Sequence, residues 1–263
     1  MADSNPSWSE SVKRAQANTR APEIKRFYKS ADVGAVSNGF AVLLDGRIAL
    51  TPAKANLIAP TRSLTEAIAA EWAAQGETID AAAMPLTRLA NSALDGVARA
   101  LRETAAEIAN YAGADLVCYR AVEPQALAER QAEAFDPVLE WAQMTLDARF
   151  VLAGGVMHVA QPEASLAAVR AAVDAHAEPF ALTALHGMTS LSGSVLIALM
   201  IAEGALAADA GWRAAHVDED FQVEGWGADT EAQLRRNARW REFAAAAFTL
   251  EALSAIGSNG RAK

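Results

Sequence analysis

Phe40-Ala41-Val42-Leu43-Leu44-Asp45-Gly46-Arg47-Ile48-Ala49-Leu50 places two apolar runs on either side of an Asp-Gly pair. A two-residue hairpin turn needs positive φ at both central positions, and Asp-Gly supplies it, so the stretch reads as a β-hairpin. Upstream, Ile24-Lys25-Arg26-Phe27-Tyr28-Lys29 is a second strand-like run; downstream, Pro52 and Pro60 bound the next segment. Residues 22 to about 60 therefore read as strands.

The period then changes. Ser63 and Glu66 stand three apart, as a capping box requires. Leu64, Ile68 and Trp72 follow at helical spacing, and Gly76 offers a stop. From Pro85 a longer helix is expected to run to about Tyr111, on Leu86, Leu89, Ala93, Val97, Leu101 and Ile108. Asp115 to Tyr119 reads as a short strand or a helix start. Residues 124–148 read as a helix, with Phe135, Leu139, Ala142 and Leu146 on one face. Beyond Gly154-Gly155, helices are expected at about 162–176, 179–190, 192–207, 209–225 and 229–256. Alternating βα units are absent, which argues against a doubly wound sheet. The expected class is α+β: a small β-rich N-terminal domain with one helix (22–84), then a larger all-α C-terminal domain (85–256). Mobile tails are expected at 1–21 and 257–263.

The net charge of −9 repels phosphate backbones and argues against nucleic acid as a general partner. A basic or mixed protein surface is the more natural one. The single cysteine, Cys118, excludes a disulfide framework and a Cys-rich zinc site; inside Leu116-Val117-Cys118-Tyr119 it reads as a buried small hydrophobe. The most apolar stretch, Val195 to Ala202, falls far short of the ~20 residues that cross a bilayer, so no membrane insertion is expected. Residues 1–21 lack an apolar signal core and carry Asp3 and Glu10. That favours a bacterial cytoplasm; a mitochondrial-matrix chain without its presequence reads the same way.

No chemistry stands out. His158, His176, His186 and His216 are not paired at i+3 or i+4, so no metal is expected. Ser192-Gly193-Ser194 is not a nucleophile elbow; its small residues suit a helix cap or a close helix approach. Neither phosphate-cradling glycine pattern occurs, so no nucleotide or other cofactor is expected. Two polar sets remain. Asp218, Glu219, Asp220 and Glu224 form an acidic face interleaved with Phe221, Val223 and Trp226, either a solvated helix side or a docking surface for a basic patch. Arg88, Asn91 and Asp95 share a helix face, with Arg99 a turn beyond. They could hold a catalytic carboxylate, or tie the helix to its neighbours. An Arg–Asp pair lowers the carboxylate pKa and makes a poor general base, which favours the structural network.

Several blocks in order carry a resemblance: Lys25 to Lys29, Leu44-Asp45-Gly46-Arg47 with Thr51-Pro52, Glu71-Trp72-Ala73-Ala74-Gln75, Met84 to Asp95, Tyr111 to Leu116 with Tyr119-Arg120, Phe135 to Trp141, Leu191 to Ser194, and Phe221 to Gly227. From about residue 24 to 250 the chain resembles the F-type ATP synthase assembly factors that chaperone the alpha subunit. Phe135 stands where the resemblance leads one to expect tryptophan. The resemblance implies a non-catalytic chaperone whose partner is the free alpha subunit, held until the beta subunit takes over that surface. It also implies a β-rich N-terminal domain joined to a helical one. The partner-binding residues expected are Asp218, Glu219, Asp220, Glu224 and Trp226. The rival readings are an enzyme with its site at Arg88, Asn91 and Asp95, and a general holdase.

Overall fold

The computed structural model describes residues 24–155, 157–227 and 229–259; the expected tail at 1–21 and residues 260–263 lie outside them. The hairpin forms as its residues require. Asp45 and Gly46 take φ of 47° and 79°, and Leu44 pairs with Arg47 across them. Strands β2 (Ala31–Val36), β3 (Gly39–Leu44) and β4 (Arg47–Ile48) make an antiparallel meander, and β5 (Ile58–Ala59) pairs with Phe40 and Ala41 of β3. Asp45 accepts hydrogen bonds from the backbone N–H of Ser30 and Lys29, each at 2.9 Å. These bonds hold its carboxyl below the usual range.

Strand β1 (Ile24–Lys25) is shorter than the run 24–29 suggests, and pairs with β6 (Thr78–Ile79). The residues after it leave the ladder to pack: Tyr28 is buried, its hydroxyl donating to the Trp72 carbonyl at 2.7 Å. Helix α1 (Arg62–Ala73) begins two residues earlier than a box at Ser63 would place it. Extended Thr61 is the cap, its hydroxyl accepting from Leu64 N–H at 3.2 Å. Ser63 is already helical, so the expected box does not form, and Glu66 meets Arg62 instead, at 3.5 Å.

The expected helix from Pro85 to Tyr111 is two helices. Helix α2 (Pro85–Asp95) ends at Gly96, a 3-10 turn (Val97–Arg99) follows, and α3 (Leu101–Asn110) resumes. Glycine is costly inside a helix and readily ends one, so the apolar periodicity runs through a break it does not reveal. At its other end α2 is capped from outside. The Glu71 carboxylate accepts from Leu86 N–H, Thr87 N–H and the Thr87 hydroxyl at 2.7–2.8 Å, filling orphan donors of the first turn.

Strand β7 (Tyr119–Arg120) pairs parallel with β8 (Ala153–Gly154). Helix α4 (Gln125–Leu146) buries Phe135 and Ala142, as their spacing predicts. Helices α5 (Glu163–Asp174), α6 (Pro179–Ser192), α7 (Val195–Ala202), α8 (Ala208–Ala215), α9 (Val217–Trp226) and α10 (Thr230–Asn259) complete the helical part. The expected helix 209–225 is broken at His216, whose backbone (φ −117°, ψ 19°) is not helical. The α+β class stands, and the two hydrophobic cores follow it. The smaller packs β3, β5 and α1 on Ala90, Ala93, Phe180 and Ala252. The larger surrounds α7, whose Val195–Ile201 are all buried; each large aliphatic side chain there contributes about 1.5–3 kcal/mol on removal from water. Gly211 lets α8 lie against α7, since a Cβ there would fall 2.7 Å from Ile201 Cδ1.

The N-terminus of α7 sits in that apolar core, so its orphan N–H groups need buried acceptors. Ser194 caps Ile197 N–H at 3.0 Å. The fully buried Asp115 carboxylate accepts from Leu196 N–H at 3.1 Å and from Val117 N–H at 3.1 Å. Burial outweighs these bonds and raises the Asp115 carboxyl from 3.8 to about 6. The native state therefore binds this proton more tightly than the unfolded chain does. The stabilisation is complete below pH 4 and is lost as pH rises through 6, a change of about 3 kcal/mol. In urea titrations at pH 7, 6, 5 and 4, the stability of wild type relative to D115N, which cannot titrate there, should grow steadily as the pH falls. A difference that stays flat, or shrinks, would contradict the buried-carboxylate account.

Candidate functional site

Helix α9 begins as α8 stops at His216. Its first turn carries Asp218, Glu219 and Asp220, which the positive end of the helix dipole favours. Gly227, at φ 88°, ends it, and Asp229 Oδ1 accepts from Glu231 N–H at 3.1 Å where α10 starts. The two helices form an arm. Every described residue from 222 to 235 is exposed, including Val223, Leu234 and Trp226, the last at 87%.

The acidic residues line the root of this arm, and each meets a partner inside the chain. Asp218 Oδ1 accepts from Gln131 Nε2 at 2.7 Å. Arg236 donates to Asp220, Arg239 stands 3.9 Å from Glu219, and Arg130 pairs with Glu224 at 2.7 Å while its guanidinium lies over Phe221. A run that is acidic in sequence is thus a mixed-charge band in space. The partners come from α4 and α10, out of reach of any local pattern. Trp226 stands apart, unpacked, at the arm's end. A groove beside it is lined by Val223, Gln222, Gln233 and Arg235.

An aromatic cluster fixes the root. Trp212 lies against His216 at 3.8 Å, Phe243 at 5.2 Å and Trp240 at 5.6 Å. His216 Nδ1 bonds the Trp212 carbonyl at 2.8 Å. Burial first, and then Arg236 and Arg239, lower the His216 pKa against the opposing pull of that bond and of Glu219. His216 therefore packs at the junction of α8 and α9, where its charged form is disfavoured.

The second polar set is not gathered at one point. Arg88 pairs with Glu242 of α10. Asp95 faces the N-terminal unit, accepting from the Thr51 hydroxyl at 2.6 Å and Ala53 N–H at 3.0 Å. Asn91 is half-buried, and Arg99 lies beyond Gly96, off the helix. A cleft of about 630 Å³ runs past Arg88, His186 and Glu107, but neither Asn91 nor Asp95 lines it. His186 and Glu107 stand 3.3 Å apart across its wall. Cys118 is buried, with its thiol pushed up to about 12 by burial and by Asp115, which leaves no thiolate for nucleophilic work. Among the described residues no group of three or more His, Cys, Asp or Glu side chains could hold a metal ion, and no helix is long and apolar enough to cross a membrane.

Residues 25–143 match the family profile described as ATP12 chaperone protein. The Atu1473 protein of Agrobacterium tumefaciens superposes with a TM-score of 0.85 at 44% identity, over 95% of this chain and 92% of that one. Atp12 from Paracoccus denitrificans superposes at 0.80 with 39% identity, over 87% of this chain and 98% of its own. An aspartate-to-lysine variant of the Paracoccus protein matches equally well.

The Asp95 carboxylate couples α2 to the loop at 51–53, and its loss leaves Thr51 and the Ala53 N–H without their acceptor. Asp95→Ala should lower the unfolding free energy by about 1–3 kcal/mol, read from chemical denaturation. A variant as stable as wild type would show that the tie is not structural.

Proposed function

The chain belongs to the ATP12 chaperone family, and from that premise we propose that it binds the free alpha subunit of the F-type ATP synthase catalytic sector and keeps it from aggregating until the beta subunit takes over the same surface. A subunit destined for a ring exposes large apolar interface patches, and such patches drive aggregation. Covering one needs reversible affinity and no bond-making chemistry, so the role is non-catalytic and requires no nucleotide or metal. Its setting is the bacterial cytoplasm, or the mitochondrial matrix in a eukaryote.

The observation that carries the reading beyond family membership is the α9–α10 arm with its exposed Trp226. A large indole held away from its own core is the kind of side chain that anchors an interface. Asp218, Glu219, Asp220 and Glu224 sit below it. Their internal partners hold their carboxylates in place and temper the charge, so the band offers carboxylates to a basic or mixed partner face without a strong net field.

The test is co-purification of the tagged protein with separately expressed alpha and beta subunits, together with a light-scattering assay of alpha aggregation. Alpha should be retained and kept soluble, and beta should not. Rescue of unrelated unfolded proteins to the same extent would point to a general holdase, and retention of neither subunit by folded protein would sink the proposal. Trp226→Ala should weaken alpha binding by about 2 kcal/mol, roughly thirtyfold in Kd, without changing thermal stability. Reversal at Glu219 and Glu224 to lysine should weaken it as well. Wild-type binding by both folded variants would place the site elsewhere while leaving the function intact.

A further inference from the structure

The charge of this protein is divided unevenly along the chain. Residues 24–62 carry Lys25, Arg26, Lys29, Arg47, Lys54 and Arg62 against only Asp32 and Asp45, a local charge of +4 in a chain of −9. Every ion pair among the described residues lies at or beyond Arg62. The cations of β1 to β5 therefore have no carboxylate within 4 Å among those residues. Of the two acids in that stretch, Asp45 also lines the cleft between the hairpin and α1, its carboxylate held by the N–H groups of Lys29 and Ser30.

Two of these cations, Arg47 and Lys54, line a concavity together with Asp45. A cleft of about 630 Å³ opens between the hairpin and α1, with Tyr28, Ile48, Leu50 and Trp72 in its wall and Arg47 and Lys54 at its edge. It also takes in Phe27, which is 68% exposed, and Leu50, which is 51% exposed. The wall is rigid. Phe27 meets Tyr28 edge-on at 5.3 Å, and Tyr28 meets Trp72 at 5.5 Å. The loop presenting Lys54 is closed by Thr51 N–H to Ala55 O at 2.8 Å and braced by Asp95. Trp72 Nε1 is buried without a hydrogen-bond partner, a donor that a carbonyl or carboxylate could satisfy after a small shift of the wall.

We propose that this cleft is a second docking surface, which takes a polypeptide segment whose apolar side chains are flanked by carboxylates. The apolar residues fill the Phe27–Leu50–Trp72 wall while the carboxylates meet Arg47 and Lys54 at the rim. Charge decides the occupant: the apolar groove carries Arg47 and Lys54 against Asp45, and neither cation has a carboxylate within 4 Å among the described residues, which disfavours a basic segment and favours an acidic one. The surface lies on the N-terminal unit, separate from the α9–α10 arm, and the proposal does not depend on what that arm binds.

The test uses the full chain and a fluorescein-labelled peptide in which Leu and Phe alternate with Asp and Glu, read by fluorescence anisotropy. Two controls accompany it: the same peptide with Lys for each acid, and a labelled oligouridine of matching charge. The acidic peptide should bind, and the basic peptide should not. Binding should weaken at least about tenfold between about 0.05 M and about 0.5 M salt. Arg47→Glu combined with Lys54→Glu, both at exposed positions, should weaken it by about the same factor, and Phe27→Ser should weaken it at every salt concentration. Trp226→Ala should leave it unchanged. Equal binding of the acidic and basic peptides, tighter binding of the oligouridine, no binding of the acidic peptide, or wild-type binding by the folded Arg47/Lys54 double variant would each overturn the proposal.

Discussion

The larger core depends on how the N-terminus of α7 is satisfied. Seven consecutive residues from Val195 to Ile201 are buried, so this helix can present no polar face and no solvated end. Its first N–H groups are met by Ser194 and by Asp115. The preceding turn is pinned by Leu116 N–H donating to Gly193 O at 3.0 Å, with Gly193 in the left-handed region. A residue from the middle of the chain thereby sets where α6 ends, where α7 begins and where the 116–118 turn lies. A carboxylate is a costly group to bury, and burial raises the Asp115 pKa despite the hydrogen bonds it accepts. Removing the acceptor would leave the N–H groups of Leu196 and Val117 buried and unmet, at about 1–3 kcal/mol each.

With that helix fixed, the rest of the helical part is a matter of what can approach it. Gly211 admits α8, and Trp212 then reaches Trp240 and Phe243 of α10. The arm is a consequence of this geometry. Helix α10 is held by its second half, through Phe243, Ala246 and Leu250 in the core. Its first turns, together with α9, extend past the packed region. Arg130, Arg236 and Arg239 meet the α9 carboxylates at the root, so the arm is set in direction although its end buries nothing of its own. The N-terminal unit is joined differently, through Ala90, Ala93 and Ala252, residues small enough to let helix backbones approach the sheet side, and through Asp95 and Glu71.

Much of this was legible in the sequence. The Asp45-Gly46 hairpin, the helix after residue 62, the burial of Cys118 and a cap at Ser194, one of the two roles its small residues allow, all rest on local chemistry, which a linear reading senses directly. The misplaced features share one cause. The 85–111 run keeps its apolar period through Gly96, and the 209–225 run keeps its period through His216, because packing continues on one face while the backbone stops being helical. Ser63 and Glu66 satisfy the spacing of a cap, yet Thr61 holds the extended conformation that capping requires. Asp218, Glu219, Asp220 and Glu224 are visible as a cluster, but their partners lie on α4 and α10, and only the folded chain places Arg130, Arg236 and Arg239 beside them. The same holds for Arg88 and Asp95: they share a helix face in sequence yet tie α2 to two different parts of the fold.

Pairing also redistributes the charge that composition reports. The net −9 suggests a uniformly acidic protein, but three of the four α9 carboxylates, Glu219, Asp220 and Glu224, stand beside arginines, and the cations of β1 to β5 have no carboxylate within 4 Å among the described residues. The run that looks most acidic carries a muted field, because its counter-charges stand within 4 Å. Residues 24–62 carry a local charge of +4 instead. At physiological salt the Debye length is about 8 Å, so each field is felt only by what docks directly upon it. Two faces of opposite character can then act on different segments of a partner without cancelling, provided the frame between them stays rigid. That frame is the α2 helix, tied by Asp95 to the loop that carries Lys54 and by Arg88 to the helix that carries the arm.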